Sequence, residues 1–376
     1  MGNRSSVRIA DHFEDLTDPR RREPTYPLVN IVVMAVCAML SGADDFVAIA
    51  DWARTKKDWL AKFLDMSAGV PSHDRFNAIF AALSPPEFEK CLLSWITTLH
   101  QVTDGQVIAI DGKTLRGSFD AASSKAAIHM VSAWATANHI ALGQVVTDEK
   151  SNEITAIPRL LELLEIKGCL VTIDAMGCQR EIAQQIVERE GDYVLAVKGN
   201  QPKLHAAIKE FFTEQLEDDC RSVACRRCES HEKGHGRVDD RYYYLAKLPE
   251  GFSEREKWAG LKAIGMAVRI TTDRNGKESH DSRYYIVSRY LSGEKFAKAV
   301  RDHWGIENSL HWQLDVTFGE DGSRIRNGHA DTNASLLRRT CLSLLKNETT
   351  AKIGIKNKRL RAAGSDDYRL QVLTAT

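Results

Sequence analysis

Short strand-like segments alternate with helical ones between residues 105 and 200, and this alternation constrains the fold more than any other feature of the sequence. Three runs rich in β-branched residues come first, QVIAI, IHMVSAWAT and IALGQVVT, and each is short enough for one strand. They are followed by a helical pattern, PRLLELLEI, a strand, CLVTIDA, a second helix, QREIAQQIVERE, and another strand, DYVLAVK. Three neighbouring strands followed by alternating helix and strand predict an α/β fold built on a mixed sheet.

The segments on either side of this region predict additional parts. Residues 1–104 carry helical apolar patterns separated by breaks at prolines such as Pro24 and Pro85, which indicates a small N-terminal helical domain. Beyond residue 200, strand-like runs are joined by Asn275-Gly276, a pair that favours hairpin turns. We therefore expect residues 105–200 to form the first part of the core, 201–290 a β-rich insertion, and 291–376 C-terminal helices that complete the core.

Membrane insertion is not expected from the hydropathy of the chain. The longest apolar run extends only over residues 31–40, whereas a bilayer-spanning helix needs about 20 residues. The first residues, MGNRSSVRIADHFEDL, lack the apolar segment of a signal peptide. The sequence therefore predicts a cytoplasmic protein without membrane contact.

Charge is balanced over the whole chain but not along it. The 51 basic residues equal the 51 acidic ones, so net charge indicates no partner. Residues 323–361 nevertheless contain ten Lys or Arg against two acidic residues, a local net charge of 10 − 2 = +8. Such a segment would attract phosphates if it lies on one face, and the alternative is a solvated basic tail. The candidate phosphate contacts here are Arg324, Arg326, Arg338 and Arg339.

Most of the eight cysteines occur singly in apolar surroundings, which argues against a disulfide framework. One cluster differs, because three cysteines and two histidines follow one another closely: Cys220, Cys225, Cys228, His231 and His235. Their number suits a tetrahedral zinc site, but the spacing is tighter than in known zinc fingers. A zinc site and a polar hairpin with incidental thiols both remain open.

Two aspartates follow apolar strand segments. Asp111 comes after VIAI, and Asp174 comes after CLVTI. A carboxylate at a strand end is held by a rigid element while it stays open to ligands. If the two strands are neighbours, the aspartates can share a divalent metal, although each alone could simply form a turn.

A third set of polar residues lies in RDHWGIENSLHWQLDVTFGED. His303, Glu307, His311 and Asp315 are spaced four apart, so a regular helix would present them as one stripe. Zinc helices normally pair histidines four apart, and these histidines are eight apart. Mg²⁺ prefers oxygen ligands, and Glu307 with the two aspartates meets that preference. Three carboxylates with a basic region are the ingredients of two-metal phosphoryl transfer, and a charged helix surface is the alternative.

Several ordered motifs closely resemble one family: IDGKTLRGS, TDEKSNEI, TIDAMGCQ, DYVLAVKGNQ, GHGR and HWGIENSLHWQLDVTFGED. They are similar to those of ISAs1-family transposases, including the H-repeat-associated type, within the IS4-like DDE group. The resemblance implies an RNase H-like catalytic fold in which Asp111, Asp174 and Glu307 are the catalytic triad, with Mg²⁺ or Mn²⁺ as cofactor. It also implies double-stranded DNA as partner, both element ends and target, a homodimer on DNA, and a place at the bacterial nucleoid. On this basis we expect residues 1–104 to have a DNA-binding or accessory role, and we expect Arg324, Arg326, Arg338 and Arg339 to contact DNA.

One departure from that family concerns the glutamate motif. IS4-like enzymes carry Y-x2-R-x3-E-x6-K, and alignment on Glu307 puts Val300, His303 and Leu314 at the other three places. We expect other groups to contact the DNA phosphates: Lys113, Lys198, Arg301, His303 and His311.

Three further residues lie near these motifs, and two other functions are compatible with the sequence. Glu153 is a reserve metal ligand, and Trp304 and Trp312 are expected in the core. The competing functions are an RNase H-like nuclease without strand transfer and an inactive, DNA-binding transposase remnant.

Overall fold

One large mixed sheet organises the molecule. The computed structural model describes residues 9–99, 106–115, 128–147, 153–234 and 236–374. Within these ranges it contains thirteen α-helices and nine strands, and all nine strands belong to one sheet. Helices precede and follow the sheet in the chain, so the predicted α/β class with a mixed sheet and helices at both ends is confirmed.

Five helices make up the N-terminal part: α1 (Leu28–Leu40), α2 (Phe46–Thr55), α3 (Lys57–Leu60), α4 (His73–Ala82) and α5 (Pro85–Leu99). Their starts follow local chemistry. The Asp45 side chain accepts the backbone N–H of Ala48 at 2.8 Å and caps α2. The Ser72 hydroxyl accepts the N–H of Arg75 at 3.3 Å and caps α4.

The central part contains the alternation seen in the sequence: β1 (Val107–Leu115), β2 (Ile128–Ala135), β3 (Ile140–Thr147), α6 (Glu153–Leu163), β4 (Leu170–Ile173), α7 (Arg180–Glu188) and β5 (Asp192–Val197). The strand order across the sheet is β3-β2-β1-β4-β5. β1 is antiparallel to β2 and parallel to β4, and β4 is parallel to β5. β1 and β4, the strands that carry the two aspartate motifs, are therefore direct neighbours.

The predicted insertion contains α8 (Pro202–Gln215), β6 (Cys225–Gly234), β7 (Arg237–Lys247), β8 (Ala263–Thr272) and β9 (Glu278–Val287). The four strands form an antiparallel meander, and β9 pairs with β5. The meander thereby extends the central sheet instead of forming a separate one. Gly276, with φ of +76°, occupies the turn between β8 and β9, as the Asn275-Gly276 pair indicates.

The C-terminal part begins with α9 (Gly293–Ile306), a π-helical turn (Glu307–His311) and α10 (Trp312–Val316), followed by α11 (Ala330–Asn347), α12 (Ile355–Gly364) and α13 (Asp366–Thr374). α9 packs on one face of the sheet against β1, β4, β6 and β7. Phe296 anchors it, with its ring edge-on to Tyr243 and Tyr285 at 6.4 and 5.6 Å between centroids. Gly265 makes room for this ring, because a Cβ there would collide with it.

The N-terminal and C-terminal helices share one hydrophobic core. Phe80 of α4 and Leu92 of α5 belong to the same buried cluster as Leu337 and Leu344 of α11. Asn333 strengthens the contact, since its side-chain amide donates to the backbone oxygens of Phe80 and Leu83 at 2.8 and 3.1 Å. The two ends of the chain are thus packed together. Among the described helices, none is long and apolar enough to span a membrane.

Candidate active site

Asp111 and Asp174 lie side by side where β1 and β4 separate. The parallel pairing ends with Ile110 opposite Ile173, so the aspartates are the next residues on the two strands. β1 itself continues beyond Asp111 in its antiparallel pairing with β2, so this residue is inside a strand rather than at its end. Asp174 also shapes the following turn, because its Oδ1 accepts the N–H of Met176 at 3.0 Å.

Glu307 reaches the same place from α9. That helix packs on β1 and β4 and ends at Ile306, where the π-helical turn begins. A π-turn adds a residue to the turn and rotates the side chains that follow it. The predicted straight stripe is therefore broken: Glu307 is exposed, whereas His311 is only 8% exposed.

A cleft of about 620 Å³ brings the three carboxylates together. Its polar lining includes Asp111, Asp174, Lys198, His205, Arg283, His303 and Glu307. Lys198, which follows β5, is exposed at the side of Asp174. Four of the residues proposed from the sequence thus share one concave surface with Glu307.

The electrostatics of the cleft are dominated by negative charge. Burial raises the pKa of Asp111 to about 7, and the charges of Asp174 and Glu307 add to the effect. The pKa of Asp174 is also raised, first by burial and then by the charge of Glu153. Carboxylates that repel one another in this way favour either a proton or a bound cation.

The donor set fits a hard divalent cation. Carboxylate oxygens are the protein ligands that Mg²⁺ prefers, and this ion usually keeps several waters while it takes one or two carboxylates. In the described ranges, no three Asp, Glu, His or Cys side chains are close enough to enclose a metal by themselves. An ion that is partly coordinated by water and phosphate does not need such an enclosure.

Burial keeps both histidines neutral near pH 7, so of the two contacts considered for them, a hydrogen bond to a DNA phosphate is favoured over a charged contact. Burial lowers the pKa of His311 to about 3, and the nearby charges of Arg339 and Lys113 add to this. Burial likewise lowers the pKa of His303 to about 4. His311 Nδ1 lies 3.5 Å from Asp111 Oδ2, so this imidazole is next to the aspartate.

Lys113 does not face the cleft, and its predicted phosphate contact is wrong. The side chain is 8% exposed and is surrounded by the carboxylates of Asp315, Glu320 and Asp321. Its Nζ lies 3.0 Å from Glu320 Oε2. Lys113 therefore connects β1 to the segment after the π-turn.

Arg338 and Arg339 are 2% exposed, and their burial contradicts the prediction that they contact DNA. Arg338 donates to Ser323 Oγ at 2.9 Å, and Arg339 pairs with Glu320 at 3.1 Å. A count of charges along the chain does not show which of these side chains are buried and paired. Of the four arginines predicted in this region, Arg324 is exposed and Arg326 is half-buried.

A second group of basic residues contains Arg301, which the sequence predicted as a phosphate contact, and three arginines that the sequence did not predict. A cavity of about 290 Å³ adjoins the cleft, and its lining includes Arg241, Arg269, Arg283 and Arg301. Arg283 and Trp304 line both spaces. The guanidinium of Arg283 lies 3.7 Å from the ring centroid of Trp304. The sequence offered one signal for Arg283. Side chains alternate between the two faces of a strand, so Arg283 and Tyr285 in SRYYIV must lie on the same face of β9.

Trp304 and Trp312 are not core residues, contrary to the prediction. They are 38% and 53% exposed. Both residues flank the π-turn that carries Glu307. The buried residues of this segment are instead Ile306, Leu310 and Leu314.

The cysteine cluster does not converge on a zinc ion in the part that is described. Cys225 and Cys228 are three residues apart on β6, so their side chains point to opposite faces. His231 is instead paired with Asp240, at 2.7 Å from Nδ1 to Oδ1. His235 lies outside the described residues.

Comparison with known proteins shows the family of the chain. The family described as "Transposase DDE domain" matches residues 103–344, and the family described as "DDE_Tnp_1-associated" matches residues 10–96. The chain is 40% identical over 371 residues to the protein named "Putative transposase YncI" of Escherichia coli O157:H7, covering 98% of this chain and 94% of that protein. It is 38% identical over 378 residues to "H repeat-associated putative transposase YhhI" of Escherichia coli K12, covering 98% of each. The chain is therefore a member of the transposase family defined by the DDE domain.

Proposed function

We propose that this protein binds the ends of an insertion sequence and catalyses metal-dependent strand cleavage and strand transfer. In this proposal Asp111, Asp174 and Glu307 are the catalytic, metal-binding carboxylates. The observation that carries it is their convergence, from two neighbouring strands and one helix, on a single cleft. Membership of the transposase family supports DNA as the substrate.

We also propose that the central sheet is RNase H-like. The support is the order β3-β2-β1-β4-β5, with an antiparallel first half and parallel β1, β4 and β5. In this arrangement one aspartate belongs to the central strand and the other follows its parallel neighbour. The meander β6–β9 is then an insertion between the second aspartate and the glutamate.

The residues of the cleft would have different roles in the reaction. Bound Mg²⁺ or Mn²⁺ would supply Lewis acidity to the attacking and leaving oxygens of the phosphodiester. Asp111, Asp174 and Glu307 would hold these ions, and His311, whose Nδ1 lies 3.5 Å from Asp111 Oδ2, would help to position Asp111. Lys198 offers its ammonium group to a phosphate beside Asp174, because it is exposed on the same surface.

Bound DNA would extend from the cleft along the arginine-lined cavity. Arg283 joins the two spaces, and Arg301 is 42% exposed next to them. These groups can take the place of the arginine and lysine that the IS4-like motif lacks around Glu307. Arg324 and Arg326, on a separate cavity with α2 and α4, are proposed as further contacts. The protein would act as a homodimer on DNA, at the nucleoid in the bacterial cytoplasm.

Labelled insertion-sequence ends and a target plasmid test the proposal. Asp111→Asn, Asp174→Asn and Glu307→Gln should each abolish cleavage with Mg²⁺, while end binding and thermal stability stay close to those of the original protein. Glu214→Gln, an exposed carboxylate on α8, is the matched control and should remain active.

The DNA products of this assay distinguish the proposed function from its two alternatives. Joined donor and target DNA supports transposition. Cleavage without joining indicates a nuclease, and metal-independent binding without cleavage indicates an inactive remnant. Cleavage that survives any one of the three substitutions removes that residue from the proposed site.

A further inference from the structure

The polar residues of α12 form an inner set and an outer set. The inner residues Lys358 and Arg359 are each 6% exposed. The outer set is exposed and consists of Lys356, Asn357, Leu360 and Arg361. Because about four residues make one helical turn, the outer positions form one continuous stripe along the helix. Leu360, at 65% exposure, stands in the middle of this stripe.

The inner set fixes α12 to the rest of the protein. The ammonium group of Lys358 donates to a backbone oxygen near the end of α11 at 2.9 Å. The guanidinium of Arg359 donates to a backbone oxygen in the last turn of α1 at 2.7 Å and to Asp44 Oδ1 at 2.6 Å. It also donates to the backbone oxygen of Thr317, just after α10. A helix held in this way keeps its outer side chains in fixed positions.

The outer basic residues lack such partners. None of the ion pairs among the described residues includes Lys352, Lys356 or Arg361. Arg361 instead stacks on Tyr368, with 4.5 Å between its guanidinium carbon and the ring centroid, which restricts its direction. Against these three positive charges, the described helices α12 and α13 expose one carboxylate, Asp367, so the local net charge is 3 − 1 = +2.

Two features of the outer stripe are unfavourable for the protein alone. The first turn of α12 contains no acidic residue, and Lys356 puts a positive charge at the positive end of the helix dipole. Leu360 exposes a large apolar side chain, which reduces solubility. An anionic partner that also offers apolar groups would offset both effects.

DNA fits this face better than a second copy of the chain does. In a two-fold contact the same patch meets itself, so Lys356 and Arg361 would approach a surface of their own charge. A helix fits the major groove of DNA, where asparagine pairs with adenine, arginine pairs with guanine, and an apolar side chain contacts the thymine methyl group. Asn357 and Arg361 are one turn apart, about 6 Å along the axis, which is close to two base-pair steps.

We propose that the outer stripe of α12 lies in the major groove of the insertion-sequence ends. Asn357 and Arg361 contact base edges there, and Lys356 contacts a phosphate. This inference rests on the proposed function, because it takes the element ends as the substrate. Asp44, which anchors α12, also lines the cavity that contains Arg324. The stripe therefore belongs to a helix fixed beside another proposed DNA contact.

Binding to a labelled insertion-sequence end and to a shuffled duplex of the same composition is the test. Asn357→Ala should weaken binding to the end about tenfold and leave the shuffled duplex unaffected, because only a base contact is lost. Lys356→Gln should weaken both alike and reduce the slope of log affinity against log salt by about one. Lys209→Gln, exposed on α8, should change neither quantity. Equal losses on both duplexes in Asn357→Ala, or unchanged binding in both α12 variants, overturns the inference.

Leu360→Ser distinguishes DNA from a second copy as the partner. We expect the same sedimentation coefficient as for the original protein without DNA, the same thermal unfolding temperature, and weaker binding to the end. If the substitution converts a dimer into a monomer while Asn357→Ala binds the end normally, the stripe joins two copies and the inference is wrong.

Cleavage separates this inference from the proposed function. Asn357→Ala should still cleave the end with Mg²⁺ once the protein saturates the DNA, because the carboxylates of the cleft are unchanged. Normal binding by both α12 variants, together with cleavage by the original protein, rejects only the role of α12. If the original protein does not prefer the end to the shuffled duplex, end binding and the role of α12 are both rejected.

Discussion

Glu320 is the anion at the centre of the buried network behind the cleft, and its loss should destabilise the whole protein. Its side chain is fully buried and faces Lys113 at 3.0 Å and Arg339 at 3.1 Å. The Ser335 hydroxyl donates to it at 2.7 Å. Glu320→Gln keeps the shape of the side chain but leaves these buried cations without part of their counter-charge.

The size of the effect follows from the pKa of Glu320. Burial opposes the charged form, but Arg339 and Lys113 outweigh it and lower the pKa from 4.5 to about 2. At about 1.4 kcal/mol per pH unit, the charged form contributes about 3 kcal/mol to folding. Because the folded pKa is lowered, this contribution is complete above pH 4.5 and is lost as the pH falls towards 2.

Thermal unfolding of Glu320→Gln and of the original protein tests this prediction. For 376 residues the unfolding entropy is about 0.8 kcal/mol/K, so 3 kcal/mol lowers Tm by about 4 °C at pH 7. The difference from the original protein should narrow to about 1 kcal/mol at pH 3. Glu217→Gln, an exposed carboxylate, is the control. A Tm within about 1 °C of the original at pH 7, or a difference that grows at low pH, would refute the reasoning.

Three further outcomes are expected. Arg324→Gln should weaken DNA binding and flatten its salt dependence, whereas Arg338→Gln should lower Tm and leave the salt slope unchanged; equal slopes for both would contradict the burial argument. Gly265→Ala should destabilise by about 1–3 kcal/mol in urea unfolding, because the new methyl group collides with Phe296; unchanged stability would show that the ring can move. Arg283→Gln should reduce DNA affinity in a filter-binding assay without abolishing Mn²⁺ binding, and simultaneous loss of both would place this arginine at the metal instead.

The strand pattern of the sequence was sufficient to predict a mixed sheet and the positions of its first five strands. Asp111 and Asp174 follow apolar runs of the kind that form neighbouring strands, and their proximity was therefore accessible to pattern analysis. The π-turn at Glu307 could not be predicted from the sequence, because a single extra residue in a helical turn hardly changes the helical periodicity.

The burial of Arg338 and Arg339 could not be predicted from the sequence either. Arg338 donates to the backbone oxygen of Asp44 and Arg339 pairs with Glu320. The first of these partners is far away in the sequence, so a local charge count treats a buried ion pair as a free positive surface. Trp304 was predicted in the core from its residue type, but it is 38% exposed and stacks on Arg283, a residue from another part of the chain.

The core shared by the first and last helices also affects how the chain can be synthesised. α1 is buried from Asn30 to Leu40, partly against α11, which leaves the ribosome some 290 residues later. Until then the apolar surface of α1 has no permanent cover, and contacts of such long sequence separation form slowly. Nascent chains arrested before α11 should therefore recruit holding chaperones or aggregate. Completion of translation would then be the event that releases a folded, DNA-competent protein.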